Sequence, residues 1–156
     1  MDTDKCIERF KARFGTPGPD TKPTKGSLRK IERTLGFELP ADFVDFARRC
    51  SNYACWFSSL GTDYDDPHHI LKLNAEYHSD FVRLPDELIL ITHGYDLDFD
   101  CYDRANQDAA GRYSIAYCEA LESETPGAVV TKRTHQAYSI CEYLAPHLAF
   151  WERNNH

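Results

Sequence analysis

The 156 residues of this chain, 42% hydrophobic and 13% aromatic, are enough to bury the core of one ordinary domain, which excludes a disordered polypeptide. No apolar run approaches the roughly 20 residues that cross a bilayer, and the charged amino-terminal stretch MDTDKCIERF lacks an apolar secretory core, so we expect a cytoplasmic protein. The net charge of −7 is uneven, with +3 on residues 1–50 and −10 on residues 51–156. The acidic second part opposes nucleic acid and anionic membranes and favours encounter with a basic protein.

Six cysteines are scattered along the chain, and no two of them form a C-x-x-C pair. This spacing argues against a zinc ribbon and against a thioredoxin-like motif. In a reducing compartment we expect all six to be free thiols that fill the core.

The first 50 residues predict three amphipathic helices, because apolar residues recur in each at helical spacing. The apolar stripes are Ile7, Phe10 and Phe14 in the first helix, Leu28, Ile31 and Leu35 in the second, and Phe43, Phe46 and Cys50 in the third. Ser27 is the predicted N-cap of the second helix, and Gly36 is its predicted left-handed end. Pro40 suits the first position of the third helix.

The stretch LILITHGYDLDFDCYD, residues 88–103, predicts two strands around a turn. Its apolar run at residues 88–91 is typical of a strand buried on both faces. After the turn, Asp96, Asp98 and Asp100 alternate with apolar residues, so the three carboxylates share one face of the second strand. Like charges in such a row repel, so we expect this face to be solvated or to meet a positively charged partner.

The remaining pattern predicts a strand at residues 53–60, a helix at 70–77, strands at 112–118 and 128–131, and a closing helix with the stripe Ile140, Leu144, Leu148 and Trp151. Asp66 is the predicted cap of the helix at 70–77, and Pro146 should kink the closing helix. Helices, then mainly strands, then a helix predict an α+β fold. We expect one domain over residues 1–156, with a twisted, mostly antiparallel sheet centred on residues 88–91 and 96–103 and covered by helices.

Two acidic stretches raise the question of a metal site. Residues 96–100 alternate like the start of an EF-hand loop, but Cys101 stands where that loop needs glycine and Gln107 where it needs glutamate, which favours a solvated or protein-binding strand over a calcium site. The neighbouring His68 and His69 would point about 100° apart on a helix, which disfavours a shared ion. We therefore expect no metal and no cofactor.

The sequence contains no G-x-S-x-G, G-x-x-x-x-G-K-[ST] or G-x-G-x-x-G motif, so nothing indicates catalysis. Tyrosines beside carboxylates are instead typical of protein interfaces, where the ring supplies contact area and the charge fixes the register. The candidate partner-binding residues are Asp96, Asp98, Asp100 and Tyr102 on the strand and Asp63, Tyr64, Asp65 and Asp66 in the acidic segment.

The run IERTLGFELPADFVDF at residues 31–46 resembles the I-E-x-x-L-G-x-x-L-P-x-D-F-x-x-F signature that opens the SUKH superfamily, the Smi/Knr-like proteins. Trp56 after the third helix, the Leu84-Pro85 pair before the apolar strand, and the aspartate-rich strand that follows are similar to the same superfamily. The resemblance covers about residues 27–151 and implies the α+β fold expected above.

For function, the resemblance implies a non-catalytic immunity protein of a bacterial polymorphic toxin system, a kind of toxin–antitoxin pair. Such a protein binds and neutralises its cognate toxin, often a nuclease, in the cytoplasm. The acidic second part of this chain fits a basic nuclease, whose surface must hold phosphates. A regulatory protein-interaction scaffold of the same fold is the first alternative, and a metal-dependent enzyme is the second.

Overall fold

The structure is a computed structural model that describes residues 2–15, 21–50, 57–78, 83–92, 98–121 and 129–154. Within these ranges the elements are, in chain order, α1 (Thr3–Phe14), α2 (Lys25–Leu35), α3 (Ala41–Cys50), α4 (Ile70–Tyr77), β1 (Leu88–Leu90), β2 (Asp98–Gln107), β3 (Tyr113–Leu121), β4 (Val129–Ala137) and α5 (Ile140–Asn154). This order confirms the predicted α+β class. In the described part of the chain, every helix is too short or too polar to cross a membrane.

The four strands form one antiparallel sheet in the order β1-β2-β3-β4, which confirms the predicted strand orientation. The expectation that residues 88–91 lie at the centre of the sheet is wrong, because β1 is at one end of this order and β2 and β3 are central. Two residues after the end of β1, Thr92 forms an isolated antiparallel bridge with Phe57. The other residues of the predicted strand at 53–60 either lie outside the described ranges or belong to no named strand.

The helices cover one face of the sheet and form the larger of two hydrophobic clusters. Ile31, Phe43 and Phe46 are fully buried in it, as predicted, while Leu35 is half-buried against it. The smaller cluster lies on the opposite face and consists of Leu84, Leu88, Leu90, Phe99, Cys101, Ala116 and Cys118. Because Ile89 belongs to the first cluster, β1 is buried on both faces, as its apolar run predicts.

Helix α2 begins one turn earlier than predicted. Thr24 is its N-cap, and Ser27, the expected cap, is the third helical residue. The Ser27 backbone N–H donates to Thr24 Oγ1 at 3.0 Å, and the Thr24 N–H donates to Ser27 Oγ at 2.8 Å, so the two residues form a reciprocal capping box. At the other end Gly36 has φ 61°, the left-handed conformation that its position predicts.

The cysteines behave as core residues wherever the structure describes them. Cys6, Cys50, Cys101, Cys118 and Cys141 are buried free thiols, and Cys55 lies outside the described residues. Their burial agrees with the prediction that they fill the core.

Candidate functional site

The structure gives the predicted partner-binding residues of β2 three different environments. Asp98 is exposed at the start of the strand, Asp100 is half-buried, and Tyr102 is only 1% exposed. Asp96 lies outside the described residues. The prediction of a solvated face is therefore wrong at Asp100, which accepts a hydrogen bond from Tyr143 of helix α5, and at Tyr102, whose ring packs against Phe37 and Phe43.

Asp100 joins the sheet to helix α5. Tyr143 Oη and Gln136 Nε2 each donate to its carboxylate at 2.7 Å, and its own backbone N–H donates to Thr92 Oγ1 at 2.9 Å. Burial raises the pKa of Asp100 above its ordinary value, while the hydrogen bonds from Tyr143 and Gln136 oppose that shift. The carboxylate therefore acts as a buried acceptor that fixes the helix on the strand.

A histidine on the same helix adds to this polar group. Burial lowers the pKa of His147, and the negative charge of Asp100 acts in the opposite direction. The imidazole ring lies between two aromatic rings, with its centroid 5.2 Å from that of Tyr143 and 5.9 Å from that of Trp151.

The hydrogen-bond partners of Asp100 could not be predicted from the sequence, because they lie 36 and 43 residues away from it. One residue in the sequence indicated that this face is partly buried. Tyr102 is aromatic, and alternation places it on the same face as the carboxylates.

Asp98 keeps the surface position that the sequence predicts, and it has an acidic neighbour. Glu119 lies directly opposite it on β3, and Lys132 lies opposite Glu119 on β4. Burial, together with the hydrogen bond and charge of Asp98, raises the pKa of Tyr117 to about 12. The facing positions on β2, β3 and β4 therefore hold the carboxylates of Asp98 and Glu119 and the ammonium group of Lys132. A like-charge pair directly across two strands opposes folding.

The acidic segment before α4 is a folded loop. Asp63 Oδ1 accepts the backbone N–H of Asp65 at 3.1 Å, and Asp66 Oδ1 accepts the N–H two residues further on at 2.9 Å. The Tyr64 ring lies under the Lys30 ammonium group of α2, with 3.8 Å between Nζ and the ring centroid. The side chains of Asp63 and Asp65 are exposed, and those of Tyr64 and Asp66 are half-buried. Two carboxylates of this loop therefore face solvent.

The prediction that Asp66 caps helix α4 is wrong, because its carboxylate is used one turn earlier. The cap is His69, whose Nδ1 accepts the Leu71 N–H at 3.2 Å. Its Nε2 lies 2.9 Å from the Gly61 carbonyl oxygen, so these two contacts fix a neutral ring with its proton on Nε2. Burial lowers the pKa of His69, which favours the same neutral form.

The two adjacent histidines also diverge, since His69 is buried and His68 is exposed. Within the described ranges, no group of three or more His, Cys, Asp or Glu side chains could hold a metal ion.

A cleft of about 800 Å³ opens where the α2–α3 corner, the β2–β3 turn and the start of α5 meet. Asp42 ties its walls together, because its two carboxylate oxygens accept the backbone N–H groups of Phe43 and Ile140, each at 2.9 Å. The Tyr102 side chain also lines the cleft, and its buried hydroxyl has no hydrogen-bond partner in the described part of the chain. Burial and the charge of Asp42 raise the pKa of Tyr102. An unpaired buried hydroxyl costs about 1–3 kcal/mol.

No family model matches the sequence, and no curated protein matches it. The resemblance to the SUKH superfamily therefore stays a prediction from the sequence, carried mainly by the residue pattern at 31–46.

Proposed function

We propose that this chain is a non-catalytic binding protein for a basic protein partner, and that the partner is a cognate toxin, such as a nuclease, neutralised in the cytoplasm. The uneven charge is the observation that carries this proposal. Residues 51–156 contain 17 acidic and 7 basic side chains. A field of this sign raises the rate at which a basic protein is encountered and repels nucleic acid.

Exposed carboxylates give this field two places on the surface. Asp98 is exposed on β2 opposite the half-buried Glu119 of β3, and Asp63 and Asp65 project from the folded loop before α4. Like charges directly opposite one another on neighbouring strands repel, so a positively charged partner would interact favourably with Asp98 and Glu119. Tyr64 supplies a half-buried ring beside the loop carboxylates, as protein interfaces commonly do.

The experiment begins with a candidate toxin encoded beside the gene for this chain; on this proposal we expect it to co-purify with this chain in a stoichiometric complex. Association and dissociation rates are then measured at low and high salt for the wild type, for Asp98→Asn, and for the double change of Asp63 and Asp65 to Asn. Glu8→Gln is the matched control, since it removes the same charge from an exposed side chain of α1 in the basic part of the sequence.

Carboxylates that steer the partner act mainly on the association rate. The Asp98 and loop variants should therefore associate more slowly at low salt, and their difference from the wild type should shrink as salt screens the charges. The control should associate like the wild type. Equal association and dissociation rates for all four proteins at every salt concentration would contradict the proposal.

A further inference from the structure

We infer that the cleft between the α2–α3 corner, the β2–β3 turn and α5 binds an organic cation, a guanidinium or alkylammonium group, and that the Tyr102 hydroxyl is one of its ligands. The cleft holds about 800 Å³, within the range typical of small-molecule sites. This site is separate from the acidic surfaces proposed above for the protein partner and does not depend on them.

The Tyr102 hydroxyl is held firmly in the site. Its ring packs against those of Phe37 and Phe43, with both centroid distances 5.8 Å, and its backbone lies in the central strand β2. The side chain is 1% exposed, and its hydroxyl is unpaired in the described part of the structure. A buried hydroxyl normally has a partner, and its oxygen can accept a hydrogen bond from an N–H group of a ligand.

The charges around the cleft select a cation. Glu38, Asp42 and Glu142 line it with three carboxylates, and Arg112 is the basic residue among the lining side chains. The Arg112 guanidinium is already paired, since its Nε donates to Asp108 at 2.7 Å. Each Asp42 oxygen accepts one backbone N–H, which leaves each with a second lone pair for a ligand.

The start of α5 does not offer the cleft an anion site. The Ile140 N–H donates to Asp42 Oδ2 at 2.9 Å, and the Glu142 N–H donates to Ser139 Oγ at 3.1 Å. Two of the donors that would hold an anion at a helix N-terminus are therefore used within the protein. The rings of Tyr113 and Tyr138 line the same cleft and suit a cation with an apolar chain.

The test is calorimetric titration of the full chain with two cationic probes and one uncharged probe. Agmatine represents a free cation, a blocked Gly-Arg-Gly peptide represents a guanidinium carried by a polypeptide, and the same peptide with citrulline in place of arginine lacks the charge. We expect saturable binding of one equivalent of agmatine or of the arginine peptide, and no saturation with the citrulline peptide. The cation that binds identifies the source of the ligand.

Two variants test the ligands themselves. Tyr102→Phe should weaken cation binding at least about tenfold, as expected for the loss of a hydrogen bond to a charged group, without lowering the melting temperature. Glu142→Gln keeps an acceptor for the Tyr138 N–H but should also weaken binding, because it removes a cleft charge. Asp98→Asn, outside the cleft, should bind like the wild type. Failure of both cations to bind, equal binding of the citrulline peptide, or unchanged affinity in Tyr102→Phe and Glu142→Gln would overturn the inference.

Discussion

Replacing Tyr143 by Phe removes one hydroxyl and leaves the ring that packs in the core. In the wild type this hydroxyl donates to the Asp100 carboxylate at 2.7 Å. A hydrogen bond to a charged group contributes about 1.5–3 kcal/mol to stability, and a buried carboxylate that loses a donor is left poorly solvated. We therefore expect Tyr143→Phe to lower the free energy of unfolding by about 1.5–3 kcal/mol at neutral pH.

The effect should depend on pH with a definite sign. Burial raises the pKa of Asp100, so the stability linked to this group is fully present below the ordinary aspartate pKa of 3.8 and is lost as the pH rises through the folded-state pKa. Without the Tyr143 hydroxyl, which lowers that pKa, the folded-state pKa rises further. The cost of the substitution should therefore be largest at neutral pH and should fall to about 1 kcal/mol once the carboxyl is protonated.

Urea unfolding at pH 7 and at pH values below the Asp100 pKa measures both quantities. Combining Tyr143→Phe with Asp100→Asn gives a double-mutant cycle, in which the Phe substitution should cost less because the charge is gone. Tyr77→Phe is the matched control on the opposite face of the sheet, and its cost should not follow this pH dependence. A cost under about 0.5 kcal/mol at pH 7, or an equal cost with and without Asp100, would refute the reasoning.

Three further predictions concern the core, the thiols and the cap of α4. Phe43→Ala should destabilise by about 3–5 kcal/mol in denaturant unfolding, because the side chain is 1% exposed; a loss under about 1 kcal/mol would contradict its placement. Thiol titration of protein unfolded under alkylating conditions should find all six cysteines free, and fewer would indicate a disulfide. Because burial lowers the pKa of His69 below 6.5, stability present above that pH should be lost as the pH falls through the folded-state pKa. In His69→Asn the corresponding slope of unfolding free energy with pH should disappear.

Apolar periodicity predicted the helical part of the fold because the contacts that it encodes are local. Residues three and four apart on a helix share a face, so the stripe of Phe43, Phe46 and Cys50 states directly which side is buried. The same reasoning missed most of β4. Among the described strands it pairs with β3 alone, and the side chains of residues 132–136 are all exposed, so no alternation between apolar and polar residues marks it.

The predicted N-caps of α2 and α4 are wrong for a different reason, since Ser27 and His69 each have a hydrogen-bond partner outside the local pattern. Ser27 Oγ donates to the carbonyl oxygen of Leu60 at 2.9 Å, which leaves the cap position to Thr24. The His69 ring contacts the Gly61 carbonyl oxygen, and His69 is the N-cap of α4. The helix therefore begins three residues after the position that Asp66, the predicted cap, would give. A single sequence gives the candidates for a cap, while the tertiary contact decides among them.

The carboxylates of β2 show how one packed helix divides a row that looks uniform in the sequence. Asp98 and Asp100 share a face by alternation, yet Asp98 is exposed while Asp100 accepts a hydrogen bond from Tyr143 of α5, so one aspartate faces solvent and the other fixes the helix. Neutralising both in one variant would combine a loss of surface charge at Asp98 with a change in stability at Asp100. An effect on partner binding can be assigned to electrostatic steering only if Asp98 is changed alone and the free energy of unfolding stays constant. If Asp98→Asn slows association while Asp100→Asn changes mainly stability, the two roles are separate; if Asp100→Asn alone slows association without changing stability, the division argued here is wrong.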